Sequence, residues 1–188
     1  MRAIVLTGLI LLSACASQTG GTATPPGSGP GTVYENTRIA SNGTSDAAMD
    51  RDVQSTKYVS SATIAKPLDA VWGALPDSWA TLGLTVDGIS QKDHRLQSGI
   101  IRVRRQLGKV NLSRYVDCGR STLGPNADSY FVTLKVETVV SGTDGAVLIQ
   151  SALQATGEGT GNGGQTMRCS STGELENRIA DRVAARLK

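Results

Sequence analysis

The sequence predicts an α+β fold: an antiparallel sheet packed against a kinked first helix and a long C-terminal helix, in the order β-α-β4/5-α. Three observations carry this. Between Ser129 and Val140 the chain alternates, with Tyr130, Val132, Leu134, Val136 and Val140 on one face and Thr133, Lys135 and Glu137 on the other. That is the period-2 pattern of a half-buried strand. The run Ser141-Gly142-Thr143-Asp144-Gly145 ends in a turn-forming Asp-Gly pair, and Ala146 to Ala155 returns as the second strand of a hairpin. Near the C terminus, Leu175, Ile179, Val183 and Leu187 recur at four-residue steps, Ala180 and Ala184 widen the stripe, and Arg178, Arg182 and Arg186 are left to solvent. A sheet that hides one face requires a helical layer to hide it against.

The remaining elements follow in chain order. Tyr58 to Ala65 is β-branched and bounded by Pro67, which reads as a strand. Pro67 suits a first helical position, and Leu68, Val71, Trp72, Leu75, Trp79 and Leu82 then keep helical spacing. Pro76 removes one hydrogen bond from that helix and predicts a kink or break, while Gly83 ends it. Strands are expected over Leu84–Ser90, over Leu96–Arg105 with a bulge at Gly99, and over Lys109–Cys118. Gly119 to Asn126 reads as a loop. Ser171 and Glu174 fit a capping box at the head of the last helix.

Composition narrows the function. The 188 residues carry a net charge of +3, and only 4% are aromatic, so the core rests on Val, Leu, Ile and Ala. This balance and the lack of any nucleic-acid motif argue against a nucleic-acid binder. The single histidine, His94, lies in the polar turn 91–94 and reads as a solvated turn residue. With one histidine there is no multi-histidine metal site, no metal-loop spacing is present, and no cofactor is implied. The glycine-rich run 157–164 lacks the Lys-Ser/Thr of a phosphate loop and follows a hairpin rather than opening a helix, so it reads as a connecting loop. No catalytic constellation is visible, which points to binding rather than turnover.

The N terminus indicates a location. Arg2 precedes a short apolar run, and Leu12-Ser13-Ala14-Cys15 closes it. A basic start, a short apolar stretch and small residues before a cleavage point make a secretory signal. Leu-Ser-Ala-Cys also resembles the lipobox of bacterial lipoproteins. The resemblance implies a signal peptide over 1–14, lipidation of Cys15, and a mature chain of 188 − 14 = 174 residues anchored by its acyl chains. Ala16 and Ser17 lack the aspartate that retains Gram-negative lipoproteins in the inner membrane, so the outer membrane facing the periplasm is expected. Residues 16–32 are Gly, Pro, Ser and Thr with little else and read as a flexible tether; 33–57 read as a partly ordered arm, with the folded domain over 58–188. Cys118 and Cys169 are left in an oxidising compartment, too far apart for a Cys-x-x-Cys motif, and are expected to form a structural disulfide.

From residue 58 onward the element order, with Val71-Trp72, Leu82-Gly83-Leu84 and Ser98-Gly99-Ile100, resembles the helix-grip domains of the NlpB/BamC outer-membrane assembly lipoprotein family. That family has two such domains and this chain has room for one. The resemblance implies an interaction or scaffold module of the envelope. A second reading is an apolar ligand held between the sheet and the C-terminal helix. Finally, eight basic residues between 92 and 120 face only Asp93 and Asp117. Arg102, Arg104, Arg105, Lys109 and Arg114 are accordingly read as a docking face for an envelope protein or an anionic lipid surface.

Overall fold

The computed structural model describes residues 32–41, 55–160 and 166–188, with 32–41 and 55–58 described for their backbone alone. The expected signal peptide (1–14), Cys15, residues 16–31, residues 42–54 and residues 161–164 of the glycine-rich run lie outside the described residues.

The elements in chain order begin with β1 (Thr32–Ser41), β2 (Ser55–Ile64) and α1 (Leu68–Thr81). Short strands follow: β3 (Gly88–Ser90), β4 (Arg95–Gln97), β5 (Ile101–Arg104), β6 (Gln106–Leu107), β7 (Val110–Asn111) and β8 (Val116–Asp117). The small hairpin of β9 (Arg120–Ser121) and β10 (Gly124–Pro125) leads to the long strands β11 (Phe131–Thr143) and β12 (Ala146–Glu158), then β13 (Thr166–Ser171) and α2 (Glu174–Arg186). Single 3-10 turns occupy Leu112–Arg114 and Asn126–Asp128. The fold is α+β, an antiparallel nine-stranded sheet packed against the C-terminal helix.

The β11–β12 hairpin is the scaffold. Its strands pair without slip from Phe131↔Glu158 to Thr143↔Ala146 around the turn Asp144-Gly145. Gly142, at φ 111°, approaches Ala146 so closely that a Cβ there would collide with the Ala146 carbonyl oxygen. On one side β12 pairs with β2 (Val147↔Ile64 to Ala152↔Val59) and then with β13 (Ala155↔Cys169 to Glu158↔Thr166). On the other side β11 pairs with β4 and β5. Gln97 opposes Glu137 and Ile101 opposes Leu134, so three residues face two. This extra residue is a β-bulge, at Gly99 as its sequence suggests. Ser98 sits in the bulge at 3% exposure, where its Oγ accepts the Val136 N–H at 2.8 Å.

Both helices cover the same face. Val132, Leu134 and Val136 of β11 and Val147, Ile149 and Leu153 of β12 meet Val71, Leu75 and Trp79 of α1 and Leu175, Ile179 and Val183 of α2 in one core cluster. The helical stripe read from sequence is buried against the sheet, with Leu175, Ile179 and Val183 at 0% exposure.

Several local expectations change. Of the kink or break expected at Pro76, the break does not occur: α1 is one helix over Leu68–Thr81. Proline deletes one bond, but buried Val71 and Leu75 before it and Ser78 and Trp79 after it hold both halves to the sheet. Pro67 is the N-cap of α1 rather than its first helical residue. Over 84–90 only Gly88–Ser90 is strand, because Leu84 folds back into the core and its N–H reaches the Trp79 carbonyl at 3.1 Å. The expected strand 109–118 is a hairpin arm, a 3-10 turn and a two-residue strand, since both Leu107 and Leu112 must turn inward. The expected loop 119–126 holds the β9–β10 hairpin. Ser171 ends β13 opposite Val116 and does not cap α2; Gly173, at φ 83°, takes that place. Ser171 Oγ instead accepts the Gly173 N–H and donates to Glu176 Oε1 at 2.7 Å. The sheet also begins before residue 58, because β1 and the first part of β2 pair over Thr32–Ser41 and Ser55–Ile64.

Candidate docking surface

Strand alternation that buries Val132 and Leu134 turns Phe131, Thr133 and Lys135 to the opposite face of β11. On β5 the same parity turns Arg102 and Arg104 outward while Ile101 and Val103 pack against the core. Register brings these together: Arg104 opposes Phe131 and Arg102 opposes Thr133. The Arg102 guanidinium lies 4.8 Å from the Phe131 ring centroid and that of Arg104 lies 5.3 Å from it. Phe131, the chain's one phenylalanine, thus meets two cations and remains 37% exposed. Such contacts are worth roughly 0.5–1 kcal/mol each at exposed sites. Arg102 also reaches diagonally across β11 to Glu158 (2.8 Å), and Arg104 Nε donates to the Ser129 carbonyl at 3.3 Å. Lys135 and Arg168 add exposed positive charge on β11 and β13 and make no ion pair among the described residues.

The five residues read from sequence as one docking face do not share a face. Arg102 and Arg104 belong to the open sheet surface. Arg105, at φ 69°, turns the chain out of β5, and Lys109 sits in the β6–β7 turn beneath the end of α1, where Gly108 meets the Leu82 carbonyl. Arg114 lies at the start of α2, its carbonyl accepting the Thr172 hydroxyl (2.6 Å) and its guanidinium 3.9 Å from Glu174. The single stretch of basic sequence is divided by the two turns that carry it from sheet to helices.

The Cys118 and Cys169 sulfurs lie 1.96 Å apart, a bonding distance. Cys169 stands inside β13. Gly157 makes room for the pair, since a Cβ there would stand 3.1 Å from Cys169 Sγ and 3.3 Å from Cys118 Sγ. His94 is a half-buried turn residue at φ 43° whose ring meets Trp72 edge-on at 5.5 Å.

One chemically distinctive group escaped the sequence reading. Glu176 is 1% exposed in the first turn of α2, and burial pushes its carboxyl up to about 7 against the lowering effect of the Ser171 hydroxyl. A signal existed: Glu176 is four residues before Ala180, on the extension of the small-residue edge of the helical stripe. Among the described residues no three of His, Cys, Asp or Glu gather as metal ligands, and no helix is long and apolar enough to cross a membrane. Comparison with family models and with curated proteins gives no match to this chain.

Proposed function

We propose that the chain is a lipid-anchored protein of the bacterial envelope that works by binding an anionic partner rather than by catalysis. The observation that carries this reading is the asymmetry of the sheet. Its helices lie on one face, and the other presents Phe131 with Arg102 and Arg104 against its ring and Lys135 and Arg168 on the neighbouring strand positions. An aromatic side chain supported by arginines suits recognition, because both are enriched at the centres of protein interfaces. The anchor is Cys15 in Leu12-Ser13-Ala14-Cys15, and Ala16-Ser17 favours retention in the outer membrane. An accessory place in outer-membrane assembly or integrity fits a domain that resembles the NlpB/BamC family in element order.

The test compares the wild-type chain with Cys15→Ala and with Arg102→Glu/Arg104→Glu in a bacterial host. Cys15→Ala is expected to leave the carbonate-resistant membrane pellet while remaining folded. The double reversal is expected to stay in that pellet but to lose crosslinked partners seen at low salt. Its stability falls by roughly 1–3 kcal/mol, because the reversal removes two exposed cation–π contacts and the exposed Arg102–Glu158 pair, so circular dichroism and a melting curve of the variant accompany the crosslinking. Wild-type crosslinks also weaken with salt, which screens exposed charges beyond ~10 Å at 0.1 M. A Cys15→Ala chain still in the pellet, or identical crosslinks for wild type and double reversal at both salt levels, overturns the reading.

A further inference from the structure

The two ends of the domain offer different chemistry. At one end stands the Asp144-Gly145 turn. There the N-terminal segment enters, because Thr32 pairs with Ile64 and Ile64 with Val147. Helix α1 also starts there, its Leu68 N–H bonded to Asp144 Oδ1 at 2.8 Å. At the other end the chain between β5 and β11 wraps the bottom of the fold. It meets the end of α1 through Gly108 and Gly83, and the start of α2 through Arg114 and Thr172.

This wrap is basic, and its acids are already engaged. Between residues 102 and 128 there are six cations (Arg102, Arg104, Arg105, Lys109, Arg114 and Arg120) and two acids (Asp117 and Asp128). Asp117 accepts the Gly119 N–H at 2.8 Å, and Asp128 accepts both the N–H and the hydroxyl of Ser113. Arg105, Lys109 and Arg120 are exposed and make no ion pair among the described residues. From the same wrap projects the β9–β10 hairpin, with Leu123 at its tip 96% exposed. Its base is fixed: Asn126 donates its side-chain amide to the Cys118 carbonyl (3.2 Å) and its N–H to Gly119 (3.0 Å), and Cys118 is joined to Cys169. A leucine offered on a pre-ordered hairpin loses little conformational freedom when it is covered.

We propose that this end, Leu123 on its hairpin together with the exposed cations Lys109 and Arg120 of the same wrap, docks on an acidic protein surface on the side of the domain remote from the anchoring membrane. The proposal rests on the reading of Cys15 as the anchor and of the chain as a binding module. Direction is set by topology. Strands of 13 residues at ~3.4 Å each place the basic end about 40 Å from the end at which the chain enters. If residues 16–31 are the flexible tether their composition suggests, a chain of that length would span only about 20–24 Å. The entry end is thus the one held nearer the anchor and the cationic end the one held farther from it, and on this proposal the cationic end meets an acidic protein rather than that bilayer's headgroups.

A benzophenone photocrosslinker placed at position 123 of the full chain, in cells, tests this, with position 144 at the entry end as control. The expected result is a protease-sensitive adduct from 123 and none from 144, with the crosslinked peptide rich in Asp or Glu. The adduct falls about ten-fold in Lys109→Glu/Arg120→Glu, since like-charge juxtaposition across an interface is strongly unfavourable, and persists in Lys109→Arg/Arg120→Lys. A lipid-sized adduct at 123, no adduct, or an adduct indifferent to charge reversal overturns the proposal. Fractionation of the same cells separates the two failures. A wild-type chain in the soluble fraction defeats the anchor, whereas a membrane-bound chain without a charge-dependent adduct defeats only the docking end.

Discussion

Glu176 shows what one side chain imposes on the molecule around it. Its Oε1 accepts from Ser171, and its Oε2 has no hydrogen-bond partner among the described residues. The positive end of α2 favours a charged carboxylate in this first turn, but burial weighs more and raises the carboxyl from 4.5 to about 7. A carboxyl raised in the folded state binds its proton more tightly folded than unfolded. Its contribution to stability is fully present below pH 4.5 and is lost as pH rises to about 7. The loss is on the order of 3 kcal/mol. Glu176→Gln keeps the Oε1 acceptor and cannot ionise. It is expected to exceed the wild type at pH 8 by about 2–3 kcal/mol and to show no gain at pH 4.5. Urea unfolding at the two values checks this, and equal stability at pH 8 would mean that the ionised carboxylate is well solvated in the fold.

Among the elements, the interrupted strand β4–β5 is the one whose sequence and structure agree most instructively. Gly99 suggested a bulge, and the register places one extra residue there. What the sequence did not reveal is how the bulge is satisfied: Ser98 turns inward, and its hydroxyl accepts the Val136 N–H. Ser98→Ala leaves that buried N–H without a partner and is expected to cost about 1–3 kcal/mol. Faster amide exchange at Val136 than at Leu134 would accompany it. Unchanged exchange at Val136 would show that another acceptor takes over. The capping expectation at α2 failed for a related reason. Ser171 and Glu174 have the right spacing, but pairing of β13 with β8 holds Ser171 in a strand, and only the long-range partner Val116 decides that.

For the molecule as a whole, the Cys118–Cys169 link joins parts of the chain 51 residues apart. It holds the base of the basic end against the sheet. Closing a loop of that length contributes about 4 kcal/mol on the chain-entropy model. Cys118→Ser/Cys169→Ser is expected to lose about that much, measured by denaturant unfolding of wild type without reductant against the variant. Adding reductant should bring the wild type to the same midpoint. A midpoint indifferent to both would mean that the link contributes nothing to the folded state.

By itself the sequence determined the α+β class, the β11–β12 hairpin, the buried stripe of α2, the bulge at Gly99 and the outward parity of Arg102 and Arg104. Each depends on neighbours within a few residues, where alternation, helical spacing and turn chemistry act directly. Only tertiary structure decided that α1 continues through Pro76, that Glu176 is buried, and that the basic stretch divides between an open sheet face and a remote end. These depend on which segments meet across the core. Packing on both sides outweighs the one bond a proline removes, and two turns around Leu107 and Leu112 send adjacent arginines to different surfaces.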